Sequence, residues 1–250
     1  MTRPLEQLFP ERREIESGDA YADLRLVERA PPGRPYVLAN MIVSVDGRAT
    51  AGGTTDALSS RTDRRLLLDL RCQVDAVLVG TATIAKESYG PLVRSRERQA
   101  ERLRRGLDAS PLAVTASRSM RLPVESPLFQ DTGARIVVLS NSGEESPRVP
   151  ADMQVERLPG DELDLRAGLA RLRERHNVRT LLVEGGPTLL SAILAADALD
   201  ELFLSLSPKL AGGGEPGLLG SASPRRLREL ELRSVLRSED GFLFLRYELR

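Results

Sequence analysis

The run Glu184-Gly185-Gly186-Pro187-Thr188 combines an acid, two glycines, a proline and a threonine where an apolar segment meets a helical pattern. Without Cβ atoms, Gly185 and Gly186 allow a sharp turn and let a ligand approach the backbone. Pro187 suits a first helical position, where its missing N–H is not needed. A helix opening there points free amides outward, and such an end attracts phosphate or pyrophosphate. The same residues also read as a tight strand-to-helix connection with no ligand. Glu184 favours the ligand, because a carboxylate closing a buried strand is costly unless polar groups meet it. No Gly-x-Gly-x-x-Gly opens an early strand-to-helix turn, so any nucleotide is held in a style other than the ordinary dinucleotide-binding fold. One histidine, His176, and one cysteine, Cys72, leave too few soft ligands for zinc and exclude an internal disulfide, so no metal site is expected. His176 reads as a helix cap, and a serine-histidine-acid hydrolase resting on it alone is weakly supported.

The elements that must position this corner follow from periodicity. Residues 1–34 are charged, mixed in pattern and closed by "PPGRP", which reads as an arm ahead of a domain over 35–250. "YVLANMIVSV" (36–45) is a strand ending at the turn dipeptide Asp46-Gly47. Ser60 caps a helix running to Arg71, with Leu66, Leu67 and Leu70 at helical spacing. "DAVLVGTATI" (75–84) is a buried strand stopping at Gly80, followed by a threonine-rich turn. Residues 94–110 are so charged that a solvated helix or mobile excursion is expected rather than a core element. "PLAVTAS" (111–117) and "ARIVVLSNS" (134–142) are short strands ending in hydroxyl residues. A helix over 163–176, a strand over 179–184 and a helix over 188–198 follow, and two alternating strands around Asp240-Gly241 close the chain. This grammar predicts an α/β domain: one mostly parallel sheet, helices on both faces, and a C-terminal antiparallel hairpin. Ligands of such sheets gather beyond the carboxyl ends of the strands, where all these corners lie.

Composition narrows the partners. The 36 basic and 36 acidic side chains cancel, so no global field gathers nucleic acid or anionic membrane. No segment has a signal-peptide pattern or about 20 consecutive apolar residues. The expectation is a cytoplasmic protein with a small-molecule partner, no nucleic acid and no membrane.

Four separated segments, "NMIVSVDGRAT", "LLLDLRCQVDAVLVGTATIAKES", "VEGGPTLL" and "DELFLSLSPKLAGGG", resemble in order and spacing the riboflavin-biosynthesis reductase family over residues 36–249. This is the reductase domain of the bifunctional deaminase-reductase, also found free-standing. The resemblance implies a dihydrofolate-reductase-like fold, a homodimer, and NADPH-dependent reduction of the ribosylamino side chain of a pyrimidine 5′-phosphate to ribitylamino. It places cofactor contacts at Gly80, Thr83, Glu87 and Ser117, and along Gly185, Gly186, Pro187, Thr188, Leu189, Leu190 and Ser191. Substrate contacts fall at Ser44, Thr55, Arg71, Leu92, Arg94 and Glu184, with Asp46 and Glu184 as catalytic groups.

Several of these residues have a second reading. Arg71 ends a helix, where the dipole favours a cation in any case; as a fork it would hold phosphate or a pyrimidine oxygen. Asp46 suits a turn as well as proton delivery near the sugar. Thr83 reads as a cap or a phosphate donor, and Ser117 as a strand-end turn residue or a contact. Departures from the family are "KESYGPL", which puts Glu87 and Tyr89 in the wall, and Ala57 at an often aromatic position. The zinc-binding deaminase motifs are absent from the sequence, so deamination is expected of another protein. Two alternatives stay open: a dihydrofolate or pterin reductase on the same fold, and a catalytically silent NADPH-binding protein.

Overall fold

The structure, a computed structural model, describes residues 4–16, 18–22, 24–220 and 227–250. In chain order it contains strands β1 (Leu5–Phe9) and β2 (Arg13–Ile15), a 3-10 turn at Leu26–Arg29, strand β3 (Tyr36–Ser44) and helix α1 (Arg61–Arg71). Next come β4 (Ala76–Leu78), α2 (Thr81–Lys86), α3 (Arg96–Arg104), β5 (Leu112–Ala116), α4 (Pro127–Gln130), β6 (Arg135–Ser140) and β7 (Asp152–Arg157). The remainder is α5 (Leu165–Arg175), β8 (Thr180–Val183), α6 (Pro187–Ala195), β9 (Glu201–Ser207), β10 (Leu230–Arg237) and β11 (Leu243–Leu249).

All strands join one sheet in the order β2-β1-β10-β11-β9-β3-β8-β4-β5-β6-β7. The block from β9 to β7 is parallel, and the block from β2 to β9 is antiparallel. The central parallel strands β3, β4, β5 and β8 are apolar on both sides, as a sheet covered on both faces requires, while the edge strand β7 is largely exposed. In β3, Leu38 and Ile42 face one core with Leu66 and Leu70 of α1. Val37, Ala39 and Met41 face the other, with Leu169 and Leu172 of α5 and Leu190 and Ile193 of α6. The expected mostly parallel sheet, two helical layers and terminal hairpin are therefore all present, and the hairpin joins the sheet through β11 beside β9.

One segment differs from its sequence reading, and a second holds a residue that the reading did not single out. Residues 5–15, read as part of an arm, join the sheet as β1, which pairs with β10, and β2, which pairs with β1, while Leu5, Tyr21, Leu24 and Leu26 sink into the core. The charged stretch contains the expected solvated helix as α3, with one inward residue, Arg102, which is 0% exposed. Its Nε donates to the Asp108 carbonyl at 2.8 Å, and its Nη1 donates to the carbonyls of Val74, at 2.8 Å, and Arg71. One arginine thus satisfies carbonyls at the end of α1 that no helical amide can reach.

Candidate active site

Beyond the carboxyl ends of β3, β4, β5 and β8 lies one cleft of about 1400 Å³. On one side it reaches the glycine corner. Glu184 donates its amide to the Leu78 carbonyl at 3.0 Å, and Gly80 donates to the Gly185 carbonyl at 3.1 Å, so the ends of β8 and β4 are tied edge to edge. Gly185 sits at φ +88°, where an L side chain is strained. A Cβ on Gly186 would stand 3.3 Å from the Thr83 hydroxyl. Gly186 begins α6 with no side-chain cap, and the amides of Leu189 and Leu190 both turn back to its carbonyl. Among the described residues the amides of Gly186 and Thr188 have no hydrogen-bond partner, so they present donors at the cleft, as the sequence anticipates for an anion-binding helix start.

The floor is a buried charge cluster. Arg71, the last residue of α1, forks onto Glu184: Nε donates to Oε1 at 2.6 Å and Nη2 to Oε2 at 2.5 Å. Its Nη1 donates to the Leu92 carbonyl at 2.9 Å and Nη2 to the Tyr89 hydroxyl at 2.8 Å. Tyr89 in turn donates to Glu184 Oε2. The Glu184 side chain is 2% exposed and that of Arg71 12%. Burial works against the Arg71 charge, but Glu184 beside it holds the guanidinium above its ordinary range. Burial and the Glu184 charge push the Tyr89 phenol well up against the pull of Arg71, so it stays a donor. Arg71 and Glu184, each read from sequence as facing a ligand, face one another.

The third wall is the 48–59 loop. Glu87 Oε1 accepts from the Thr55 amide at 3.0 Å and the Thr55 hydroxyl at 3.2 Å, joining the end of α2 to this loop. Glu215 accepts from the Thr50 hydroxyl and, at 3.2 Å, from the Gly53 amide. Ser59, Asp63 and Leu67 continue the wall along α1, with Asn40 of β3 beside them. At the β5 end the rim carries Ser117, Arg118, Ser119 and Arg121.

Of the residues anticipated from sequence, Thr55, Arg71, Gly80, Thr83, Glu87, Ser117, Glu184, Gly185, Gly186, Pro187, Thr188 and Leu189 line this cleft together. Six do not. Asp46 lies in the turn after β3, where it accepts from the Ser44 hydroxyl at 2.6 Å and from the amides of Ala211 and Gly212 at 3.0 and 2.9 Å. The Ser44 hydroxyl and those two amides hold its carboxyl well below the usual range, which suits a loop brace rather than a proton donor. Ser44 is buried beneath it. Leu92 is buried and offers only its carbonyl to Arg71, and Arg94 is exposed, with its guanidinium against Gly90. Leu190 belongs to the core, and the Ser191 hydroxyl donates to the Leu219 carbonyl at 2.7 Å. His176 pairs with Glu156 at 3.0 Å, away from the cleft. Missed by the site reading were Asn40, Asp63, Arg118, Arg121 and Glu215. The four-residue spacing of Asp63, Leu67 and Arg71 and the polar interruption at Asn40 were signals in the sequence.

Comparison with known proteins gives a consistent picture. Residues 35–244 match the family described as RibD C-terminal domain. The 2,5-diamino-6-ribosylamino-4(3H)-pyrimidinone 5′-phosphate reductase of Archaeoglobus fulgidus is 28% identical over 212 residues, covering 84% of this chain and 96% of that one. The riboflavin biosynthesis protein RibD of Escherichia coli is 28% identical over 207 residues, but the match spans only 53% of its length. In structure, a pyrimidine reductase-like protein of Corynebacterium diphtheriae superposes with a TM-score of 0.79 at 24% identity, over 94% of this chain and 99% of that one. That likeness speaks to the fold. Among the described residues no helix is long and apolar enough to cross a membrane.

Proposed function

Since the chain belongs to the RibD C-terminal domain family, we propose that it is the riboflavin-pathway reductase that converts the ribosylamino side chain of a pyrimidine 5′-phosphate to ribitylamino, with NADPH as reductant. One observation carries this reading: a single cleft contains both the amide-presenting glycine corner and the polar wall of α1, and its volume of about 1400 Å³ exceeds the roughly 300–1,000 Å³ of a one-ligand site. There is room for a dinucleotide and a substrate side by side.

The residues present fit a nicotinamide dinucleotide. The Gly186 and Thr188 amides and the Thr83 hydroxyl offer donors to its pyrophosphate, and a side chain at Gly186 would crowd the Thr83 hydroxyl in this cradle. At the far rim Ser117 and Ser119, with Arg118 and Arg121, offer hydroxyls and cations suited to the extra phosphate that separates NADPH from NADH. When bound, the nicotinamide supplies a hydride, which the opened sugar of the substrate receives at C1′. Everything else is positioning. Arg71 and Tyr89 fix Glu184, Glu87 fixes Thr55, and Asp46 with Ser44 fixes the start of the 211–217 loop, whose Gly214, Glu215, Pro216 and Gly217 line the cleft. A rigid frame of this kind accelerates reaction by holding the two partners in contact.

The assay is loss of nicotinamide absorbance on mixing protein and NADPH with either the ribosylaminopyrimidine phosphate or dihydrofolate. Turnover of the first is expected; turnover of dihydrofolate alone would reject the assignment for a pterin reductase, and NADPH binding without turnover would leave a silent binder. A cytoplasmic homodimer belongs to the same reading. The exposed Val45 and Leu210 lie on two segments joined where the Val45 amide donates to the Lys209 carbonyl at 2.9 Å, and they offer apolar side chains to a second copy. Light scattering on the eluting protein tests for twice the chain mass.

A further inference from the structure

We infer that Asp63 is the general acid of the reaction, giving its proton to the sugar ring oxygen O4′ as the bond from O4′ to C1′ breaks. The inference rests on the reductase reading above and adds the one reactant that neither the cofactor nor the positioning frame supplies.

Hydride delivery is half of this reduction. The C1′–O4′ bond breaks with its electron pair staying on O4′, while the lone pair of the exocyclic nitrogen forms C1′=N. The arriving hydride then makes the new C1′–H bond and returns the C=N pair to nitrogen. One hydride and one proton are consumed, and the proton ends on O4′ as a hydroxyl. A ring oxygen that leaves with a negative charge needs that proton as the charge forms. Asp46, expected from sequence to deliver it, lies outside the cleft and is held as a carboxylate by the Ser44 hydroxyl and the amides of Ala211 and Gly212.

The other acids that line the cleft are committed or in water. Glu184 is forked by Arg71, and Glu87 accepts from the Thr55 amide and hydroxyl. Glu215 accepts from Thr50 and Gly53, and the Thr50 hydroxyl holds it below the usual range. Asp56 and Glu162 are exposed. The Tyr89 phenol is locked between Arg71 and Glu184. Asp63 differs on each count. It is 8% exposed, its Oδ2 accepts from the Ser59 hydroxyl at 2.6 Å, and its second partner is the Ser205 hydroxyl. Two hydroxyls and no cation compensate a buried carboxylate poorly, so the neutral acid is the favoured form.

No element packed around Asp63 bonds a cation to it among the described residues. On α1 the adjacent Arg64 turns outward to Asp56 at 3.2 Å, and Arg71 is occupied by Glu184. From β9 comes Ser205, from β3 the uncharged Asn40, and from the N-terminal segment Tyr21, edge-on to Phe203 at 5.0 Å. Beyond Phe203, Arg246 donates to Glu201 at 2.6 Å. Burial pushes the Asp63 carboxyl above the ordinary aspartate range, against the Ser205 and Ser59 hydroxyls and the Arg64 charge. Burial also raises the Tyr21 phenol, which stays neutral beside it.

Helix α1 sets the direction of delivery. Asp63, Leu67 and Arg71 share one face at four-residue spacing, and all three line the cleft. Arg71 is tied to Glu184 at the glycine corner, and Asp63 stands two turns, about 12 Å, further along the helix. A substrate lying along this face receives a proton from the α1 side and a hydride from the side of the corner.

Two measurements test this on the full chain. The first needs no cofactor: carbon NMR follows the aspartate carboxyls against pH in the wild type and in Asp63→Asn. One carboxyl is expected to titrate above the ordinary aspartate range and to be missing from the variant. The second is the pH profile of kcat and KM with NADPH and the ribosylaminopyrimidine phosphate. Wild-type activity should be full while Asp63 holds its proton and fall as pH rises through its raised pKa. Asp63→Asn keeps the shape without the acid, so kcat should drop roughly 100- to 10,000-fold. Both KM values should change little, the alkaline limb should vanish, and Asp63→Glu should recover part of the rate. A carboxyl that only braces α1 against β9 would lower the melting temperature of Asp63→Asn and leave the limb in place. That result, a kcat kept within a few-fold, or an Asp63 that titrates with the ordinary aspartates overturns the inference, while wild-type turnover preserves the reductase reading. A wild type that oxidises no NADPH with this substrate at any pH sinks that reading and the acid with it.

Discussion

At the scale of single residues, the Arg71–Glu184–Tyr89 cluster decides how the cleft floor behaves. Its members are spent on each other, so removing one leaves a buried charge without its partner rather than an empty ligand contact. Glu184→Ala should therefore lower folding stability by about 3 kcal/mol, as breaking a buried ion pair does, and urea unfolding reads that loss directly. A fork aimed at substrate would instead cost affinity and leave the unfolding curve where it was. The rim arginines make the opposite prediction. Replacing Arg118 and Arg121 by alanine touches no bonded partner among the described residues; KM for NADPH should rise about 10-fold or more, KM for NADH should stay put, and the melting temperature should not move. The sequence announced Arg71 and Glu184 as chemically significant, because a cation closing a helix and an acid closing a strand each need partners. That they partner one another is a tertiary fact, fixed by α1 and β8 lying on the same cleft, and no local pattern contains it.

At the scale of elements, capping and periodicity carried the prediction well where the signal was local. Ser60 caps α1 by accepting from the Asp63 amide at 3.2 Å, Pro187 opens α6, and the Asp240-Gly241 turn joins β10 to β11. Helix α3 is the solvated helix that its charge implies, but the five other charged side chains among its nine residues mask the one, Arg102, that turns inward. Arg102 is legible only once its carbonyl partners at residues 71, 74 and 108 are brought around it. Its role gives a test: Arg102→Met keeps length and apolar packing but strips three carbonyls of a donor, at roughly 1 kcal/mol or more apiece. Thermal unfolding should fall by several degrees, and because α1 ends at Arg71, the fluorescence or cofactor affinity that reports on the cleft should change with it.

At the scale of the whole molecule, the α/β reading and the terminal hairpin survive, whereas the separateness of residues 1–34 does not show in the packing. Leu5, Tyr21, Leu24 and Leu26 are each at most 5% exposed. Four such side chains contribute about 6–12 kcal/mol of burial, comparable with the roughly 5–15 kcal/mol that hold a domain together. A chain beginning at Arg34 should accordingly fail to give a cooperative melt, although every cleft residue remains. Charge and irregular alternation hid this segment, because a short edge strand facing solvent needs little hydrophobic pattern of its own. Its pairing also sets an order of events during synthesis. Glu6 meets Glu14 of β2 close by, but its other neighbour, Arg237, lies 231 residues on, so one edge of the β1–β2 pair waits, open and exposed, until β10 has been made. Loop closure over that span is a late step, and the opening segment is where chaperones have the longest time to act.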